Sequence, residues 1–257
     1  MRVQTLFWLS IFICKMGAAQ LEEVKTGVYK WDELLKKESP ERIGYKILEG
    51  FSTHFSFLEI HATTQKMGAK PANPHTQKNI EELIIIKEGK MKMTIDGVSE
   101  VLEAGSAILI PPLTEQSMEN IGDSPMTYYV IMFTAKKPMD IDRSKKAGHG
   151  LFLDSKNLQR DKTKKGSSTS YFDRPTAMLE RFEMHLTQLN ISGPSHKTHN
   201  HIDSELIIVT EGQTEMKING KKYKGKAGDL YFIKSNEFHE ISNLLDQPCQ
   251  YYAIRWY

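Results

Sequence analysis

The chain is written twice, and that repetition limits what it can fold into. Leu58–Thr63 (LEIHAT) matches Phe182–Thr187 (FEMHLT) at an offset of 124. Glu82–Gly89 (ELIIIKEG) matches Glu205–Gly212 (ELIIVTEG) at an offset of 123. The second offset then holds: Gly105 with Gly228, Asn120 with Asn243, Pro125 with Pro248, and Tyr128 and Tyr129 with Tyr251 and Tyr252. The first copy thus carries one extra residue between its histidine and its glutamate. A register kept over roughly seventy residues marks a duplicated structural unit, since chance similarity does not hold its spacing.

Each copy reads as short strands. Met91-Lys92-Met93-Thr94-Ile95 alternates and breaks at Asp96-Gly97; Met216-Lys217-Ile218 breaks at Asn219-Gly220. Asp-Gly and Asn-Gly between alternating runs signal tight hairpins. The continuous apolar runs Leu83–Ile86 and Leu206–Val209 suit strands covered on both faces. No long helical period interrupts them; Trp31 to Lys37, outside the repeats, is the best helix candidate. The expected fold class is all-β, two small antiparallel barrels or sandwiches in tandem. Residues 20–52 form an N-terminal extension, 53–135 the first domain, 136–176 a polar linker with a short ordered piece at Gly150 to Asp154, and 177–257 the second domain.

Residues 1–19 stand apart. Arg2 precedes an apolar run to Cys14, and the small residues Gly17-Ala18-Ala19 follow, the layout of a secretory signal peptide cut after Ala19. The run is too short and too interrupted for a spanning anchor, which needs ~20 apolar residues. The protein is therefore expected to be exported, periplasmic or extracellular, and free of the membrane after cleavage. Cleavage removes Arg2 and Lys15 and no acidic group, taking the formal charge from +2 to zero. A chain so nearly neutral has no nucleic-acid surface; Lys162 to Lys165 read as a solvated loop. Cleavage also leaves Cys249 alone, so no internal disulfide forms, and that thiol reads as a small buried apolar residue.

In the second copy, His199 and His201 stand two apart, and on a strand such residues share a face. Glu205 opens an apolar strand, where a buried carboxylate needs a partner. His239 follows the strand Leu230 to Ile233 and can return to the same place. These four are the candidate metal ligands; His196 lies outside the spacing and reads as a rim residue.

The second copy resembles the cupin family. One cupin motif is Gly, five residues, His-x-His, three or four residues, Glu, six residues, Gly, and Gly193, His199, His201, Glu205 and Gly212 fit it. The other runs from Gly through Pro-x-Gly to His and, after three residues, Asn. Gly228, His239 and Asn243 fit, with Lys234 and Asn236 replacing the proline and second glycine at turn positions. The resemblance implies a bicupin: two double-stranded β-helix, or jelly-roll, barrels in one chain. In the first copy His75 and Glu82 are kept, but Gln77 and Gln116 replace two imidazoles. An amide oxygen is the poorer transition-metal ligand, so this site reads as degenerate; a different site, for an ion or an organic ligand, is the alternative.

Three imidazoles and a carboxylate suit Mn, Fe, Ni, Zn or Cu, and softness alone does not choose among them. The expected function is a metal-dependent enzyme, such as an isomerase, lyase or dioxygenase, acting on a small polar molecule like a sugar acid or a related carbonyl or hydroxy compound. The alternative is a non-catalytic small-ligand-binding cupin with a structural metal. Candidates for catalysis are Glu183, His185, Tyr231 and Arg255. Glu183 and His185 recur as Glu59 and His61, which favours a structural role for them on a polar sheet face or between the barrels. Arg255 pairs with Met132 in the repeat and could hold an anion. The barrels are expected to pack face to face, and homodimers of such chains are known in the family.

Overall fold

The computed structural model describes residues 21–257; the expected signal peptide and Cys14 lie outside them. Alternation drives the architecture. In Glu81–Glu88, Leu83 and Ile85 face one way and Ile84 and Ile86 the other, and all four are fully buried. Ile84 and Ile86 fill the first barrel with Met91, Met93, Met118 and Met126. Leu83 and Ile85 instead join Leu206 and Ile208 of Ser204–Glu211 in one cluster between the barrels, with Phe133, Phe182 and Trp256. Ile207 and Val209 line the second barrel with Tyr231, Tyr251 and Cys249. Strands buried on both faces thus fill their own barrel and bind it to the other.

Each barrel is a seven-stranded sheet closed by a four-stranded one. In the second, the large sheet runs Gly27–Tyr29, Leu230–Ile233, Ser204–Glu211, Cys249–Trp256, Phe182–Leu189, Gly166–Arg174, Asp161–Thr163; the small sheet holds Gly193–Pro194, His239–Asn243, Gln213–Ile218 and Lys221–Lys226. In the first, the large sheet runs Leu151–Leu153, Ala107–Ile110, Glu81–Glu88, Met126–Ala135, Phe55–Gln65, Arg42–Gly50, Leu35–Glu38. The hairpin signals hold: Asp96 and Gly97 have φ of 46° and 81°, and Asn219 and Gly220 of 47° and 85°, the two positive values of a type I′ turn.

Three features depart from the sequence reading. Trp31 to Lys37 is no helix: Trp31–Glu33 is one 3-10 turn, and Leu35–Glu38 is an edge strand. Trp31 stacks on Tyr45 (4.7 Å between centroids), and Asp229 accepts from its backbone N (2.9 Å), so tertiary contacts override the local helical pattern. The stretch 136–176 is more than a connector, since Leu151–Leu153, Asp161–Thr163 and Gly166–Arg174 all join sheets. Finally, strands are exchanged. Gly27–Tyr29, ahead of the first barrel, forms an edge of the second; Leu151–Leu153 forms the matching edge of the first.

The barrels are also latched by Glu81. This fully buried carboxylate accepts from Thr176 Oγ1 (2.8 Å) and Met178 N (2.9 Å) at the start of the second copy. No helix among the described residues is long and apolar enough to cross a membrane.

Candidate metal centre

The mouth of the second barrel is formed where the segment leading into Ser204–Glu211 meets the loop 234–238. His199 and His239 form an isolated bridge, His199 N to His239 O at 3.1 Å and His239 N to His199 O at 2.8 Å. Asn236 N donates to His201 O (2.8 Å), lacing the His-x-His segment to the loop that carries the third imidazole. His199 and His201 therefore lie in irregular backbone around one bridge and not in the strand expected of them. Asn236 replaces the family glycine at φ 64°, a conformation asparagine tolerates.

The structure brings the three imidazoles together: one nitrogen from each of His199, His201 and His239 lies within 4.8 Å of the others. Glu205 joins them, with its Oε2 2.9 Å from His239 Nε2 and 3.4 Å from His201 Nε2. The outward nitrogens are committed, His239 Nδ1 to Glu237 O (2.8 Å) and His201 Nδ1 to Asp203 O (3.1 Å). A backbone carbonyl requires a donor, so these contacts put the proton on Nδ1 and leave an inward lone pair on Nε2. His201 Nε2, His239 Nε2 and His199 Nδ1 are buried with no hydrogen-bond partner; the carboxylate is near two of them without hydrogen-bond alignment. A buried polar atom left unsatisfied costs about 1–3 kcal/mol. Converging lone pairs beside a carboxylate are what a divalent cation satisfies, so the residues present fit a metal.

The electrostatics couple the carboxylate to the imidazoles. Burial pushes the Glu205 carboxyl up, but the close approach of His201 and His239 outweighs it, and the net shift is down. Burial lowers His239 and Glu205 more than compensates, raising it. Burial, then the neighbouring His196, His239 and His201, push His199 down, keeping a lone pair free. His196 is an exposed rim residue, its ring edge-on to His199 at 4.3 Å.

Behind the ligands runs a polar wall. Arg255 sits in register between Glu183 on one neighbouring strand and Glu205 on the other. Glu183 accepts from His185 Nδ1 (2.9 Å), from Arg181 Nη2 (2.7 Å) and closely from Arg255 Nη2. By strand alternation these residues share the face that carries Leu189, Tyr251 and Ala253 into the second barrel. Of the two placements expected of Glu183 and His185, the structure shows the polar sheet face, turned to the interior of the second barrel, and not the inter-barrel contact. Tyr231 stays apart from the imidazoles: it is fully buried, and its hydroxyl meets Thr214 Oγ1 (3.0 Å) and Thr214 O (3.1 Å).

The matching place in the first barrel is built differently. Gln116 Nε2 donates to Glu82 Oε1 (2.9 Å), and both residues are buried. His75 is exposed and turns Nδ1 to Asn73 O (3.2 Å). Burial raises the Glu82 carboxyl, and the amide of Gln116 and the charges of His75 and His61 do not offset it. Met132 takes the position of Arg255, between Glu59 and Glu82. Among the described residues, the group of three metal-capable side chains occurs in the second barrel alone. Sequence reasoning missed Asp203 and Glu237, whose backbone carbonyls hold the outward nitrogens of His201 and His239.

Fold and site together define a double β-barrel with a three-histidine, one-glutamate mouth on its second half. The cupin domain family model matches residues 62–132 and 185–255, and the chain belongs to that family as a tandem pair of cupin domains. No curated protein matches it by sequence. Solved structures share the fold. YlbA from E. coli has 14% identity and a TM-score of 0.68, over 93% of this chain and 95% of that one. AerE from Microcystis aeruginosa has 13% identity and 0.65, over 87% and 98%. The oxalate decarboxylase of Bacillus subtilis has 10% identity and 0.68, over 93% and 78%.

Proposed function

We propose that His199, His201, Glu205 and His239 hold one divalent transition-metal ion, and that the second barrel is the active half of an exported metal-dependent enzyme. Its substrate is a small polar molecule such as a sugar acid or a related carbonyl or hydroxy compound. The observation that carries this reading is the convergence of three buried, partnerless imidazole nitrogens beside Glu205. Support comes from the oxalate decarboxylases among the structural relatives, one of them described through its Mn(II) centres.

A bound ion would supply Lewis acidity toward a substrate oxygen. The protein's own groups do the rest. Burial opposes ionisation of Glu183, but the hydrogen bond from His185 and the charge of Arg255 overcome it and hold its carboxyl at about 2. Glu183 holds His185 by Nδ1, which leaves the other ring nitrogen to accept or return a proton. Arg255 Nε is a buried donor with no hydrogen-bond partner.

The test is metal analysis of purified protein grown with these metals, beside His201→Ala. About one ion per chain, lost in the variant, is expected of a four-ligand site. A wild-type protein that carries none of them ends the reading.

A further inference from the structure

Residues 26–30 precede the first barrel in sequence but brace the second. Gly27–Tyr29 pairs with Leu230–Ile233, the strand that runs into the loop bearing His239. Just before it, Thr26 Oγ1 donates to Glu237 Oε2 (2.5 Å), and Lys234 N donates to the same oxygen (3.0 Å). Lys234 Nζ reaches back to Glu23 (2.7 Å), and Asn219 Nδ2 holds the other Glu237 oxygen (3.2 Å). The carbonyl of Glu237 then receives His239 Nδ1 (2.8 Å). A continuous chain of contacts thus runs from the strap hydroxyl through a carboxylate and its own backbone to the imidazole.

The first barrel offers a comparison within the same molecule. Its strap, Leu151–Leu153, pairs with Ala107–Ile110 in the equivalent way. There Thr114 occupies the position of Glu237 and meets His149 Nε2 at 3.3 Å, while the nearby carboxylate, Asp96, takes the backbone N of Glu115 (2.9 Å) and not a strap residue. The charged clamp therefore occurs on the half that carries the imidazoles.

We infer that Thr26 and Glu237 are positioning residues for His239, so that the second barrel's metal affinity is set by a strap lying ahead of the first barrel. This rests on the metal reading above. A hydroxyl that fixes the carboxylate fixes the carbonyl behind it, and that carbonyl sets both tautomer and ring direction of the ligand.

The test is Mn(II) titration of the full chain by calorimetry, with the electron paramagnetic resonance spectrum of the bound ion, for wild type, Thr26→Ala, Thr26→Ser and Glu237→Gln. Losing a partner behind a ligand typically costs 10–100-fold in affinity. Thr26→Ala should weaken Mn(II) by about tenfold and alter the spectrum, with Thr26→Ser returning to within about threefold of wild type. The metal-free Tm of Thr26→Ala and Thr26→Ser should match. If Thr26→Ala itself folds poorly, Glu237→Gln, similar in shape, carries the comparison and should also weaken binding. Unchanged affinity and spectrum in folded variants overturn the inference and leave the metal reading standing. Failure of the wild type to bind any of Mn(II), Fe(II), Ni(II), Zn(II) and Cu(II) overturns both.

Discussion

At the mouth of the second barrel Glu205 faces two imidazoles; at the same place in the first, Glu82 faces the amide of Gln116. The strands beneath are the same, apolar on both faces and fully buried. Yet the two carboxyls shift in opposite directions, Glu205 down and Glu82 up. Burial acts alike on both, so the difference lies in the partners, two imidazoles within 3.4 Å in one half and the neutral amide of Gln116 in the other. The difference also reaches the wall behind the carboxyls, Arg255 in one half and Met132 in the other. The same barrel fold carries both sets of side chains, so the fold does not dictate what its mouth binds.

That contrast is open to attack from its strongest consequence downward. His201→Ala should abolish bound metal, while His75→Ala leaves it at about one ion per chain, read by elemental analysis; loss in the second variant would make the two mouths equivalent. The reverse experiment restores the family pattern: Gln77→His with Gln116→His should raise the content toward about two ions. No gain would mean that more than the donor atoms has changed.

Glu81 probes the latch, where the second copy carries Ser204. Burial pushes its carboxyl up to about 7, against the hydrogen bonds of Thr176 and Met178. The unfolded chain loses this proton near 4.5, so the folded state loses stability as pH rises from there through 7. Glu81→Gln should flatten that loss, by at most about 3 kcal/mol at pH 8, measured by urea unfolding at pH 5 and 8. The smallest effect belongs to Arg255→Met, which copies Met132. Burial opposes ionisation of Glu183, while His185 and Arg255 hold its carboxyl at about 2. The stability this contributes is present above the ordinary carboxyl value and lost as pH falls toward 2. Weakening it should raise the midpoint of acid unfolding by about half a pH unit.

The double barrel and the four clustered side chains were legible because both depend on spacing. Alternation shows buried strands, and the interval from His199 to Glu205 to His239 survives any loop shape. What stayed hidden has no local pattern. Three residues such as Gly27–Tyr29 or Leu151–Leu153 cannot declare themselves strands, since their partners lie far along the chain. Trp31 to Lys37 has helical composition, but stacking on Tyr45 and bonding to Asp229 decide its shape. Glu237 serves through a carbonyl, which every residue has. Arg255 showed itself only by its mismatch with Met132, and its place between Glu183 and Glu205 needed the register.

The exchanged edges also set an order of assembly. A chain leaving the ribosome delivers Gly27–Tyr29 long before its partner Leu230–Ile233. Until then that strand has nowhere to dock, whereas Leu151–Leu153 finds Ala107–Ile110 already made. A segment made before either barrel is thus fastened only after much of the second has been synthesised.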